Sequence, residues 1–305
     1  MAGTEERGAP AQPRADALIK GAQAIASRLW GPQAFWHPGD LAWQFATERA
    51  PGTIRLWDDR AWGWMYQPDT LMLQVDPAAP ELAAEVVAWF DDARTGDAPR
   101  VEVGEADAPV VAALADAGHV EVPDGPFSVD MRCVAPPTEV DLPAGYALRS
   151  AADVPVATRV EAHRAAWLPT ALPYHPDHQP TFAADATSAF DDVKLARTQT
   201  MYLYAAERDF VITTDDGDPA ACCTLWFDPD TGAGEIEPLG VVPEHRRRGL
   251  AQALCRAALD AVATAGGTEV VIFPRGDDAY PAPRAAYFAA GFTIRGRSRT
   301  YGRSA

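Results

Sequence analysis

The chain has 305 residues, 48% of them hydrophobic, with a formal net charge of −17. That length exceeds one typical core and predicts two domains. The acidic balance excludes nucleic acid or an anionic membrane as partner, since the summed field repels both. Cys133, Cys222, Cys223 and Cys255 show no metal-ligand spacing, so buried free thiols and no metal are expected. No apolar run has membrane length and the N-terminus has no secretory pattern, which predicts a cytoplasmic protein. Lysine occurs only at Lys20 and Lys194, a bias typical of GC-rich bacterial genomes.

Residues 1–14 read as a flexible Gly/Pro/Glu-rich tail. A helical pattern follows at Ala15–Trp30, with Leu18, Ile19, Ala22, Ile25 and Leu29 on one face. "GTIRLWDDRAWGWMY" reads as a hairpin turning at "DDR", and "TLMLQVDP" as a further strand ending in a Pro corner. Helix "PELAAEVVAWFDDA", strand "RVEVG", helix "APVVAALADAGHV" and strand "FSVDMRCV" complete a first domain, 15–135. Its tryptophans, Trp30, Trp36, Trp43, Trp57, Trp62 and Trp64, are expected in core packing rather than a ligand cage. Residues 136–145, rich in proline and without apolar period, are the predicted linker.

A second domain, 146–305, resumes with strand "YALRS" and helix "VPVATRVEAHRAAW". A long irregular stretch and a helix at "ADATSAFDDVKLA" follow. Strands "DFVITT" and "AACCTLWF" flank the turn "DDGD", with Cys222 and Cys223 on opposite faces. Then come strand "GEIEPLGVV", helix "GLAQALCRAALDAVATA", strand "EVVIFP", helix "PRAAYFAAG" and strand "FTIRGRSRTYG". The halves share part of this order, so the chain reads as a structural duplication.

The chemistry concentrates at "VVPEHRRRGLAQAL". A helix opening at Gly249 exposes unpaired N–H groups carrying roughly +0.5 charge, a ready site for phosphate. Gly249 and small Ala251 let a ligand approach the backbone, and Arg246, Arg247 and Arg248 add forked cationic donors. The turn therefore reads as a pyrophosphate cradle.

"VVPEHRRRGLAQAL" resembles motif A of the GCN5-related N-acetyltransferases (GNAT): Arg246, Gly249 and Ala251 match its Arg/Gln-x-x-Gly-x-Gly/Ala core, and "AAYFAAGF" is similar to the family's closing motif. The resemblance covers about Tyr146 to Arg303. It implies an α+β fold of two tandem GNAT-like domains, each a mixed, mostly antiparallel twisted sheet flanked by helices, and acetyl-CoA as co-substrate. The amides of Arg247, Arg248, Gly249, Leu250 and Ala251 would hold its pyrophosphate. Leu239, Val241 and Val242 would run beside the pantetheine, with an amide near Val241 or Val242 polarising the thioester carbonyl. Tyr287 matches the tyrosine that protonates the departing thiolate.

Transfer to an amine needs a base on the same strand. Glu235 and Glu237 share one face by alternation; Glu235 is preferred and Glu237 stands close behind. The sequence departs from the family at "GDDAYPAP", where a common asparagine is absent and Pro281 and Pro283 crowd a helix start. The first half has neither arginine nor glycine at its corresponding corner, "LQVDPAAPELAAEVV", and is expected not to bind CoA. His163 and Trp167, four apart on a helix, and His175 and His178 in the irregular stretch are expected to line a pocket for a small-molecule amine. The expected activity is direct acetyl transfer in a ternary complex, by a monomer or homodimer. A protein N-terminus or lysine is the alternative acceptor, and an acyl-CoA sensor or a scaffold the alternative roles.

Overall fold

The computed structural model describes residues 12–47, 52–123, 125–136 and 139–303. Residues 1–11 of the expected tail lie outside them, and helix α1 (Gln12–Arg28) already runs from Gln12. The chain divides into two compact units, Met1–Asp130 with Gly296–Ala305, and Met131–Arg295.

In the first unit, α2 (Pro38–Thr47) is a helix that the sequence reading left out. The hairpin of β1 (Thr53–Trp57) and β2 (Ala61–Gln67) closes where expected, with Trp57 opposite Ala61. Asp58 there takes a left-handed φ of 51°, which a short polar side chain tolerates. Strand β3 (Thr70–Val75) pairs antiparallel with β2 and parallel with β4 (Arg100–Gly104) through helix α3 (Leu82–Ala93). Helix α4 (Ala108–Asp116) and the short β5 (Val120–Glu121) follow. The core packs Leu71, Leu73, Val101 and Val103 of the strands against Val86, Phe90 and Leu114 of the helices. Trp62 and Trp64 are fully buried, so these tryptophans serve packing as expected.

The second unit begins within β6 (Val129–Val134) and continues with β7 (Tyr146–Ser150) and α5 (Val156–Ala166). Two 3-10 turns, Pro169–Ala171 and Pro176–His178, lie in the irregular stretch. Helix α6 covers only Asp192–Thr198, shorter than expected, because the Asp191 carboxylate caps it by accepting from the Lys194 amide at 2.9 Å. The sheet runs β6, β11 (Glu269–Ile272), β10 (Ala233–Val241), β9 (Pro219–Asp228), β8 (Asp209–Thr214), β7. Its pairs are antiparallel except β10 with β11, which helix α7 (Leu250–Thr264) connects. Helix α8 (Ala282–Ala289) and strand β12 (Thr293–Gly302) end the chain's regular structure. Each unit is thus a mixed, mostly antiparallel sheet flanked by helices.

The units do not divide at the boundaries read from the sequence. Residues 131–134 pair with β11, and from Ser298 onward β12 pairs with β4 and β5 in the first unit. These partners are far apart in sequence, so no local signal marks them.

Candidate active site

Strand β10 builds the site. It pairs with β11 only at Ala233, Gly234 and Glu235, and β11 ends at Ile272. Beyond Glu235 the two parallel strands part, so one edge of β10 is left open. On its other edge the register with β9 slips between Ile236 and Leu239, where Pro238 brings no N–H to the ladder. The Trp226 indole fixes this bulge by donating to the Glu237 carbonyl at 2.6 Å.

The ladder settles which amides face the opening. The Val242 N–H donates to Ala220 of β9 at 2.9 Å. In an antiparallel pair such bonds alternate, so the N–H groups of Leu239 and Val241 point away from β9, into the gap left by β11. Of the two amides expected to polarise a carbonyl, Val241's faces the cleft and Val242's is already engaged.

The cleft there has a volume of about 470 Å³, with Leu239, Val241, Gly249, Leu250, Ala251 and Tyr287 in its walls. At one end the chain turns into α7 through two left-handed residues, Arg247 (φ 64°) and Gly249 (φ 82°). No side chain caps the first amides of α7, which keeps them available to an anion. A Cβ on Gly249 would meet nothing nearer than 4.0 Å, so glycine is required by its backbone conformation rather than by crowding. Residues and geometry together fit a pyrophosphate followed by an extended chain along β10.

Arg246 does something else. Its guanidinium donates to three backbone carbonyls, Val241 through Nε at 3.1 Å, Ala171 through Nη1 at 2.5 Å and Ala166 through Nη2 at 3.2 Å. Arg247 and Arg248 are exposed beside the turn.

At the other end of the cleft stands Tyr287, on the inner face of α8 and buried. Burial pushes its phenol well above the usual tyrosine range, with Cys255, Glu237 and Cys223 adding to the rise, so it keeps its proton. Glu237 is thus within electrostatic reach of the phenol and is partly exposed, whereas Glu235 is 1% exposed in the doubly paired part of β10. The expectation that both carboxylates share one face assumed strict alternation, which the bulge at Glu237 and Pro238 interrupts.

The matched segment coincides with this geometry: residues 172–292 match the Acetyltransferase (GNAT) family. The greater part of the second unit thus matches the GNAT family. An 80-residue stretch is 41% identical to mycothiol acetyltransferase of Beutenbergia cavernae, and the match spans only about a quarter of that relative (26% of each chain). Two solved structures share the fold along nearly the whole chain. A GCN5-related N-acetyltransferase from Sphaerobacter thermophilus superposes with a TM-score of 0.57 at 18% identity, covering 97% of this chain and 94% of its own. A tandem GNAT protein from the clavulanic acid biosynthesis pathway superposes with a TM-score of 0.53 at 15% identity, covering 95% of both.

The remaining wall of the cleft comes from α5 and the irregular stretch. Trp167, at the end of α5, lies so close over Gly240 that a Cβ there would sit 2.2 Å from its ring. His163 stacks between Trp167 (4.3 Å) and Phe190 (4.1 Å). Burial first, then Arg159, Lys194 and Arg164, holds this histidine's pKa down to about 2, so it is a neutral packing ring that braces Trp167. His175 and His178 are exposed on their 3-10 turn and do not line the cleft. Their segment reaches it through Pro173, and the His175 amide donates to Ala279 at 2.9 Å beside Tyr280. Tyr280 and Pro173 are wall residues that belong to none of the sequence motifs. Their signal was weak, since both sit in stretches without period.

In the first unit the corner after β3 is held by a carboxylate of its own. The Asp76 carboxylate accepts from the Ala78 amide at 2.8 Å and from Arg28 (3.1 Å) and Arg60 (2.8 Å). A resident carboxylate occupies the end of the strand where a phosphate cradle would open, in keeping with the missing Arg and Gly. Among the described residues no group of three His, Cys, Asp or Glu side chains is placed to hold a metal ion.

Proposed function

We propose that the GNAT domain transfers an acetyl group from acetyl-CoA to the amine of a small molecule, by direct attack while both are bound. One observation carries this reading: β10 parts from β11 directly before the uncapped start of α7, which leaves the Leu239 and Val241 amides facing a cleft. Acetyl-CoA supplies an activated thioester. The amides of Gly249, Leu250 and Ala251 hold its pyrophosphate. Leu239 and Val241 pair with its pantetheine, and the Val241 amide donates a hydrogen bond to the carbonyl oxygen, stabilising the negative charge that grows there as the amine adds. Glu237 takes the proton released by the attacking nitrogen; Glu235, two residues deeper, is the alternative. Tyr287 gives its proton to the sulfur as the carbon–sulfur bond breaks, a role suited to a phenol that burial keeps protonated. The 41% identity with mycothiol acetyltransferase over 80 residues supports acetyl transfer as the reaction class.

Calorimetric titration with acetyl-CoA tests the first half of this proposal, and thiol release in an amine library tests the second. Absence of acetyl-CoA binding would overturn it. Binding without thiol release from any amine would leave an acyl-CoA sensor in its place.

A further inference from the structure

The Arg246 side chain belongs to the sequence motif for phosphate, yet it is spent on the protein's own backbone. Each of its three nitrogens donates to a carbonyl, and the three carbonyls come from three separate segments. Ala166 ends α5 and Ala171 ends the 3-10 turn Pro169–Ala171. The last carbonyls of a helical turn have no partner within it and carry partial negative charge, so a cation there is favourable. Val241 presents its carbonyl on the same edge as its amide, the edge that β11 has left.

The geometry points to Arg246 as a positioning residue: it locks the acceptor wall, residues 167–173, onto the cofactor strand, and it is not a phosphate ligand. The inference rests on the acetyltransferase reading above for the words acceptor and cofactor, but the clamp itself is defined by the three hydrogen bonds. Trp167 and Pro173, the two wall residues this segment supplies, stand on either side of the clamped Ala171. Arg246 also covers the Val241 carbonyl, so it marks where strand-like pairing along β10 must stop. A guanidinium suits the task because its planar fork spreads fixed donors over three nitrogens and spans acceptors that a compact ammonium does not reach together. The cations left to meet phosphate are Arg247 and Arg248, both exposed at the turn.

The test is hydrogen exchange and acetyl-CoA titration on the full chain, comparing Arg246→Gln, Arg246→Lys and Arg247→Ala/Arg248→Ala with the parent. The informative amides are Ala171 and Leu172, bonded to Leu168 and Pro169 in the clamped turn. Both Arg246 variants should exchange these amides at least about tenfold faster while the acetyl-CoA Kd stays within about threefold. The double variant should do the reverse. Arg246→Lys keeps the charge and guards against misfolding. Millimolar guanidinium ion should restore protection to a further variant, Arg246→Ala, which a general loss of packing would not allow. In the Arg246 variants, unchanged exchange at Ala171 and Leu172, or a Kd raised tenfold with protection intact, would overturn the clamp. If the parent chain does not bind acetyl-CoA, the proposed function fails, and the exchange data still decide the clamp.

Discussion

In the proposed reaction Tyr287 and one carboxylate of β10 divide the proton traffic between them. The phenol holds its proton because it is buried. Glu237, partly exposed and within electrostatic reach of that phenol, is the better placed of the two acids to exchange a proton with a bound amine. Glu237→Gln should cut the rate of acetyl transfer about 10²–10⁴-fold and leave acetyl-CoA binding unchanged, the range for losing a general base. If Glu235→Gln produces that loss in steady-state assays and Glu237→Gln does not, the base is Glu235. Tyr287→Phe should slow thiol release by about 10²-fold with little change in Kd. All three can be read from one set of initial-rate and calorimetric measurements.

Helix α5 is an element whose position depends on buried charge. Arg159 pairs with Asp209 of β8 at 2.7 Å and bonds Thr224 of β9 at 3.0 Å, while Tyr204 donates to the same Asp209 at 3.1 Å. The helix thus held carries His163 beneath Trp167. His163 is ordinarily half protonated near pH 6.5, but in the folded chain only near 2. The unfolded chain therefore takes up a proton that the folded one refuses, and stability is full above pH 6.5 and falls as pH drops below it. The loss should reach about 2 kcal/mol at pH 5, at roughly 1.4 kcal/mol per pH unit. Urea unfolding of His163→Phe should lack that part of the slope. The turn into α7 is equally specific: Gly249→Ala places a Cβ on a left-handed residue, costing about 1–2 kcal/mol. It should weaken acetyl-CoA binding by about tenfold, the equivalent of 1.4 kcal/mol. A Kd equal to the parent's would mean that the turn does not contact the phosphates.

For the whole molecule, the asymmetry between the units sets the stoichiometry. With the Asp76 carboxylate where a phosphate would sit and no arginine–glycine turn in the first unit, one acetyl-CoA per chain is expected by calorimetry; two would show that the first unit also binds. The last strand belongs to the first unit, where Ser298, Arg299, Thr300 and Tyr301 pair with Gly104, Val103, Glu102 and Val101. Removing residues 296–305 should therefore destabilise the unit at the opposite end of the sequence, lowering its melting temperature by more than about 5 °C. An unchanged melt would contradict that assignment.

Much of this was legible in the sequence because it is local. Hydrophobic period gives α3, α7 and the central strands, the DDR turn gives the first hairpin, and the Arg246, Gly249, Ala251 spacing gives the turn before α7. Opposite placement of Cys222 and Cys223 also follows from strand alternation: Cys222 packs with Ala162 of α5, and Cys223 lies within electrostatic reach of Cys255 on α7. What only the tertiary structure decided depends on partners distant in the chain. Where β10 leaves β11 determines which amides face the cleft, and the bulge breaks the alternation that joined Glu235 to Glu237. The place of the last strand in the first unit, and of residues 131–134 in the second, comes from pairings with segments far off in the chain. Arg246 was identifiable by its place in a motif; its three carbonyl partners were not, because a hydrogen bond forms between groups near in space, and only the folded chain brings Ala166, Ala171 and Val241 around one guanidinium.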